Sequence, residues 1–364
     1  MPLVFRPRRA TPAVRHRLRA VLTVAALAFV VTGCGEQGDG TDAVAGGSKV
    51  PTLRLGYFPN VTHATAIVGD RKKFFADALG SSATLKTAQF NAGPAAIEAL
   101  FSGALDAAYV GPNPTVNGFV QSKGEAVRVV SGAASGGAFL VVKPGITTAA
   151  QLKGKKIATP QLGNTQDVAL RHWLRTQGLS SDVNGGGDVS IAPQENAQIL
   201  TAFAAGSIDG AWVPEPNATR LLDAGAKVLV DEKTLWPGGR FVTTNLIVHP
   251  AFLKKHPDVV KRLVQGQVAA NAWLNKNPEQ AQAEVGTAIA ELAGKPLPAG
   301  VLAKAWKNIT FTNDPVPSSL LEGAEHASEV GTLAGGAPDL KGLYDLSILN
   351  AVLKEQGEPQ VQQP

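Results

Sequence analysis

Two stretches of this chain, 103 residues apart, read alike: Ile97–Pro114 is IEALFSGALDAAYVGPNP and Leu200–Asn217 is LTAFAAGSIDGAWVPEPN. Identities fall at Ala99/Ala202, Gly103/Gly206, Asp106/Asp209, Ala108/Ala211 and Val110/Val213. Each copy reads as a helix, a glycine that can end it, an Asp, and a short strand finishing on an aromatic and Val. Prolines follow at once, and because proline cannot donate to a sheet ladder, both strands must stop there. A strand-loop-helix unit precedes each copy. In the first, Leu53, Leu55 and Tyr57 alternate as a strand, Phe58-Pro59-Asn60 turns, and Ala64, Ile67, Val68, Phe74, Phe75 and Ala78 recur at helical spacing. In the second, 155–159 is a strand, 160–164 a loop with Gly163, and 165–177 a helix with Leu170, Trp173 and Leu174 on one face. The same elements twice in the same order predict two α/β lobes, and 364 residues with 44% hydrophobic content can fill two cores.

The apolar segments 138–142 and 241–248 are expected to cross between the lobes. That assigns 51–142 plus 246–364 to lobe 1 and 143–245 to lobe 2. Beyond residue 250 the chain turns helical, with Asn277-Pro278-Glu279-Gln280 as a helix start.

A net charge of +5 and a pI near 9.2 would suggest a nucleic-acid partner. Six arginines (Arg6, Arg8, Arg9, Arg15, Arg17, Arg19) stand before residue 34 with no acidic residue among them, and without them the charge is −1. The basic character belongs to the leader, and the nucleic-acid reading loses its support. Residues 1–33 have the layout of a secretory signal peptide: an arginine-rich start, the apolar run Ala20–Val31, then small residues. The run is too short for the roughly 20 residues that span a bilayer. Cys34, the sole cysteine, follows at once, and Val31-Thr32-Gly33-Cys34 resembles a bacterial lipobox, whose cysteine is lipidated. Residues 34–50, rich in Gly and Asp, then read as a flexible tether between a membrane-held lipid and the folded lobes.

In open α/β sheets ligands bind beyond the carboxyl ends of the strands. Two facing lobes would therefore gather Pro59-Asn60, Gly111-Pro112-Asn113, Gly163-Asn164-Thr165 and Pro214-Glu215-Pro216 around one cleft. Helix N-termini carry unsatisfied N–H groups and partial positive charge, so several converging there would hold an anion without an arginine. Asn60, Asn113, Asn164 and Thr165 stand where capping residues also stand. His63 can donate to a ligand or cap its helix. Tyr109 and Trp212 can wall a ligand or fill the core. Glu215 beside an anion must turn away, meet a cationic group, or pair with an arginine such as Arg220. No catalytic constellation emerges: Ala133-Ala134-Ser135-Gly136-Gly137 lacks the first glycine of a nucleophile elbow. His63, His172, His249, His256 and His326 lack metal-ligand spacing, and there is no GxGxxG or P-loop. Neither a metal nor a cofactor is expected.

The runs LRLGYFPNVTHATAIV (Leu53–Val68), FNAGPAAIEALFSGALDAAYVGPNP (Phe90–Pro114), KKIATPQLGNTQDVALRHWL (Lys155–Leu174), DGAWVPEPNATR (Asp209–Arg220) and FTNDP (Phe311–Pro315) resemble the extracytoplasmic solute-binding proteins of ABC importers. Within these the chain is similar to the aliphatic-sulfonate, nitrate and taurine group, over roughly residues 50–355. The resemblance implies a type II periplasmic-binding-protein-like α/β fold, each lobe a mixed sheet flanked by helices, closing on a small anionic solute. Its partners would be an ABC permease and ATPase, with the protein itself a monomer anchored outside the cell membrane. The ligand-binding positions it implies are Asn60, His63, Gly111, Pro112, Asn113, Ser135, Gly136, Gly163, Asn164, Thr165, Trp212 and Glu215. The implied solute is an aliphatic sulfonate or taurine, with nitrate or a thiamine-pyrimidine precursor as alternatives. Two other functions stay open. One is an enzyme on this fold, whose cysteine-rich motif is missing here; the other is a lipoprotein sensor that does not transport.

Overall fold

A computed structural model describes residues 50–364, apart from 295, 334, 335 and 337. The expected signal peptide, Cys34 and most of the tether lie outside the described residues.

The chain begins with β1 (Thr52–Tyr57), a 3-10 turn at Val61–His63, α1 (Ala64–Arg71), α2 (Phe74–Leu79) and β2 (Thr84–Gln89). Next come α3 (Gly93–Phe101), β3 (Ala107–Val110), α4 (Pro112–Gln121) and β4 (Arg128–Gly136). Then follow β5 (Ala138–Val142), β6 (Lys156–Thr159), α5 (Thr165–Thr176), β7 (Ser190–Pro193), α6 (Asn196–Ala204), β8 (Gly210–Pro214), α7 (Asn217–Asp223) and β9 (Lys227–Asp231). After β10 (Val242–Val248) the chain is mostly helical: α8 (Pro250–Lys255), α9 (Pro257–Lys276), α10 (Pro278–Ala293), α11 (Val301–Trp306), the short β11 (Ile309–Phe311), α12 (Pro317–Glu329) and α13 (Ser347–Glu355).

The strands form two sheets, in the orders β11-β4-β10-β3-β1-β2 and β7-β6-β8-β5-β9. The internal repeat is visible in them. β2-β1-β3 and β7-β6-β8 are parallel trios, and β10 and β5 each add antiparallel to the third strand of the trio. Parallel neighbours need helical crossovers, which α1–α2 and α3 provide in one lobe and α5 and α6 in the other. The repeated residues do repeated work. Gly103 and Gly206 take φ of 71° and 74° just after α3 and α6, a left-handed conformation that closes a helix without a Cβ penalty. Asp106 accepts from the Arg54 backbone N–H at 2.8 Å and Asp209 from that of Lys156 at 3.0 Å. Each Asp thus ties the start of β3 or β8 to the first strand of its trio. In β8 the pleat sends Trp212 to one face, with Trp173 and Leu170 of α5, and Ala211 and Val213 to the other, with Ile199 and Phe203 of α6.

The crossover positions differ from those the sequence suggested. β5 belongs to the second sheet, and β10 returns to the first before residue 246. The change of sheet falls at Gly136-Gly137, with φ of 83° and 75°. A Cβ there would lie 2.7 Å from the Asn308 carbonyl oxygen or 2.6 Å from Ile309 Cγ1. Apolar content cannot reveal this, because both faces of a covered sheet are apolar.

Candidate functional site

The carboxyl ends of β1, β2, β3, β6, β7 and β8 lead into helices whose starts gather where the two sheets face each other. Two adjoining cavities lie there. The inner one, of about 30 Å³, is lined by Phe58, Asn60, Thr62, His63, Asn91, Gly111, Asn164, Thr165, Gln166, Asn196, Pro214 and Thr243. The outer one, of about 100 Å³, shares Phe58, Asn60, Asn91 and Asn196 and extends to Asn217, Arg220, Ile289 and Leu297. Both draw on both lobes, and no carboxylate lines either.

The inner lining is neutral and rich in donors. His63 is buried; it stacks on Phe58 with centroids 4.2 Å apart, and its Nδ1 accepts from the Phe58 N–H at 3.3 Å. Burial pulls its pKa down to about 3, so the ring is neutral and its proton sits on Nε2. Asn164 caps α5, its Oδ1 accepting from the Thr165 N–H at 2.5 Å. The Thr165 hydroxyl is buried without a partner, on a residue only 6% exposed. It crosses to the other lobe: a Cβ at Gly111 would stand 2.5 Å from it. Only glycine lets the α4 and α5 starts approach this closely.

Of the expected site residues, Asn60, His63, Gly111, Asn164 and Thr165 line the inner cavity. The others lie off it. Asn113 Nδ2 donates to the Gly323 carbonyl at 2.9 Å, joining α4 to α12. Pro112 opens α4 but has no N–H, and Pro114 has none either, so α4 offers few free donors to an anion. Ser135 and Gly136 belong to the crossover, where the Gly136 carbonyl accepts from Thr243 Oγ1 at 2.6 Å. Gly163 donates its N–H to Asp167 Oδ2 at 3.0 Å.

The two aromatic strand ends are both fully buried. Tyr109 donates its hydroxyl proton to Gln267 of α9. Trp212 donates Nε1–H to Glu232 Oε2 at 2.7 Å and meets Trp173 edge-on. Each anchors its strand to its own lobe and walls neither cavity; burial holds the Glu232 carboxyl up at about 7. Glu215 is turned away from the cleft. Its oxygens accept from Thr219 N at 3.0 Å, Thr219 Oγ1 at 2.9 Å and Asn308 Nδ2 at 2.8 Å, and burial raises its pKa. Arg220 does not pair with it.

Sequence reasoning missed Phe58, Thr62, Asn91, Gln166, Asn196, Asn217 and Thr243. Asn91 and Asn196 follow β2 and β7, so the strand-end rule applied to all three parallel strands of each lobe would have found them. Among the described residues, no His, Cys, Asp or Glu cluster could hold a metal, and no helix is long and apolar enough to cross a membrane.

A sequence profile of the NMT1-like family matches residues 46–290. The chain is 28% identical over 275 residues to the taurine-binding periplasmic protein of Escherichia coli (strain K12), covering 71% of this chain and 82% of that protein. Its fold is similar to the alkanesulfonate-binding protein SsuA of Xanthomonas axonopodis pv. citri bound to MOPS. There the identity is 20% and the TM-score 0.65, over 81% of this chain and 98% of that one. It is also similar to the periplasmic nitrate-binding protein NrtA of Synechocystis PCC 6803, with 15% identity and a TM-score of 0.70, over 85% of this chain and 90% of that one.

Proposed function

Because the chain belongs to the NMT1-like family, we propose that it is the solute-binding component of an ABC importer, capturing a small organic anion between its lobes. An aliphatic sulfonate or taurine is the solute class, and the permease and ATPase are its partners. It acts outside the cytoplasmic membrane, held there through lipid on Cys34. The observation that carries this reading is the lining of the cleft: neutral donors from helix starts of both lobes, one arginine and no carboxylate. Such a lining stabilises a fully ionised head group. Lining contributed by both lobes also means that the solute favours the state in which the lobes meet, which is what hinge closure requires. The taurine-binding relative supports the solute class, and the SsuA and NrtA likenesses support the fold.

The test is thermal unfolding of the purified protein against an alkanesulfonate, taurine, nitrate, sulfate, phosphate and a thiamine pyrimidine. A solute at about a thousand times its Kd stabilises by roughly 4 kcal/mol, a shift of several degrees. A shift with sulfonates is expected; a shift with the pyrimidine alone would overturn the anion assignment.

A further inference from the structure

Arg220 stands on the first turns of α7 and lines the outer cavity. Every other arginine among the described residues is committed. Arg54, Arg71, Arg171 and Arg240 hold carboxylates, while Arg128, Arg175 and Arg262 hold backbone carbonyls. Arg220 has one weak contact, Nη1 to Asn217 Oδ1 at 3.3 Å, and its Nε is buried with no partner. The carboxylate five residues before it, Glu215 between β8 and α7, is spent on Thr219 and Asn308. A half-buried guanidinium kept without a counter-ion carries a standing desolvation cost, which a planar, bidentate acceptor would offset. Around it the outer cavity is otherwise apolar or amide-lined, with Phe58, Ile289 and Leu297 for walls. The inner cavity already offers neutral donors for one anionic head, including the unpartnered Thr165 hydroxyl.

We propose that Arg220 reads the far end of the solute. The cleft takes one anionic head in the inner cavity and, across a short carbon linker, a second anionic group at Arg220, as a sulfocarboxylate would supply. This rests on the reading of the cleft as an organosulfonate site and narrows it. A solute whose tail ends in an ammonium, as taurine does, meets a like charge at Arg220 and no carboxylate in either cavity. In a partly desolvated chamber the attraction for a carboxylate and the repulsion of an ammonium are each worth about ten-fold or more in affinity.

The experiment is calorimetric titration of the purified protein with three probes of equal chain length: 3-sulfopropionate, propane-1-sulfonate and 3-aminopropanesulfonate. Affinity is expected to fall in that order, by about ten-fold at each step. Arg220→Gln should collapse the three values towards one another, and Arg220→Lys, which keeps the charge, should retain the order. If 3-aminopropanesulfonate binds as tightly as propane-1-sulfonate, or if 3-sulfopropionate gains nothing over it, the role of Arg220 is overturned while the sulfonate reading stands. If none of the three binds, the sulfonate reading itself fails and the inference fails with it.

Discussion

Gly111→Ala isolates the meeting of the two lobes from the stability of either one. Gly111 has φ of −71° and ψ of 163°, a backbone any residue adopts, so alanine adds no conformational strain there. What it adds is a Cβ 2.5 Å from Thr165 Oγ1 of the opposite lobe and 3.6 Å from the Thr243 carbonyl oxygen. Normal contact needs about 1 Å more. Either the buried Thr165 side chain rotates or the lobes stand apart, and overpacking of this size costs about 1–2 kcal/mol. The cost falls on the state that binds solute, so affinity for propane-1-sulfonate should weaken by about 5- to 30-fold. Global unfolding should change by less than about 0.5 kcal/mol, since neither core uses the contact. Calorimetric Kd values for wild type, Gly111→Ala, Thr165→Ala and the double variant form a cycle in which the alanine penalty should vanish once the Thr165 hydroxyl is gone. An equal penalty in both backgrounds would refute the steric argument, as would no penalty at all.

Three further outcomes are expected. Trp212→Phe removes the donor to the buried Glu232 carboxyl and should destabilise by about 1–3 kcal/mol in chemical denaturation while leaving solute affinity unchanged. A weakened Kd without a stability loss would return the ring to the cleft. At the α5–α12 contact, His172 and His326 stack with centroids 3.5 Å apart, faced by Glu322 and Glu329 of α12, Arg175 of α5 and the buried Glu232. Burial, then the neighbouring His172, lowers the pKa of His326 to about 4. A base with a depressed folded pKa binds fewer protons folded than unfolded, so its contribution is whole above about 6.5 and is lost as pH falls towards 4. His326→Leu should therefore lose less Tm between pH 7 and pH 5 than wild type does; parallel profiles would sink this assignment. Finally, Cys34→Ala should move the protein from the membrane fraction to the medium or leave its leader uncleaved, read by fractionation and mass spectrometry.

How much of this was legible in the sequence depends on the kind of force involved. The repeated Gly103/Gly206 and Asp106/Asp209 are local devices, a helix stop and a clamp on the next strand, and local devices leave local marks, so the two α/β lobes could be read directly. The side a strand residue faces is not local. Tyr109 and Trp212 sit in strands covered on both faces, where an inward and a cleftward aromatic produce the same run of letters. The prolines of Gly111-Pro112-Asn113-Pro114 announced a helix start correctly. Yet they also removed N–H groups from it, and Asn113 spends its side chain on α12, so this turn contributes Gly111's lack of a Cβ rather than a ring of donors. Glu215 was legible as a misfit beside an anion, but its partner Asn308 lies 93 positions away and no spacing rule connects them. Arg220 was visible as a candidate partner for Glu215, and its importance emerged only when the structure left it without one.

The most direct test of the central claim is a crystal structure of the protein grown with propane-1-sulfonate. The sulfonate is expected in the inner cavity, with an oxygen at hydrogen-bonding distance, about 2.7–3.0 Å, from Thr165 Oγ1 and the alkyl chain directed at Phe58 and Leu297. Sulfonate density outside the two cavities, or none there at saturating concentration, would contradict it.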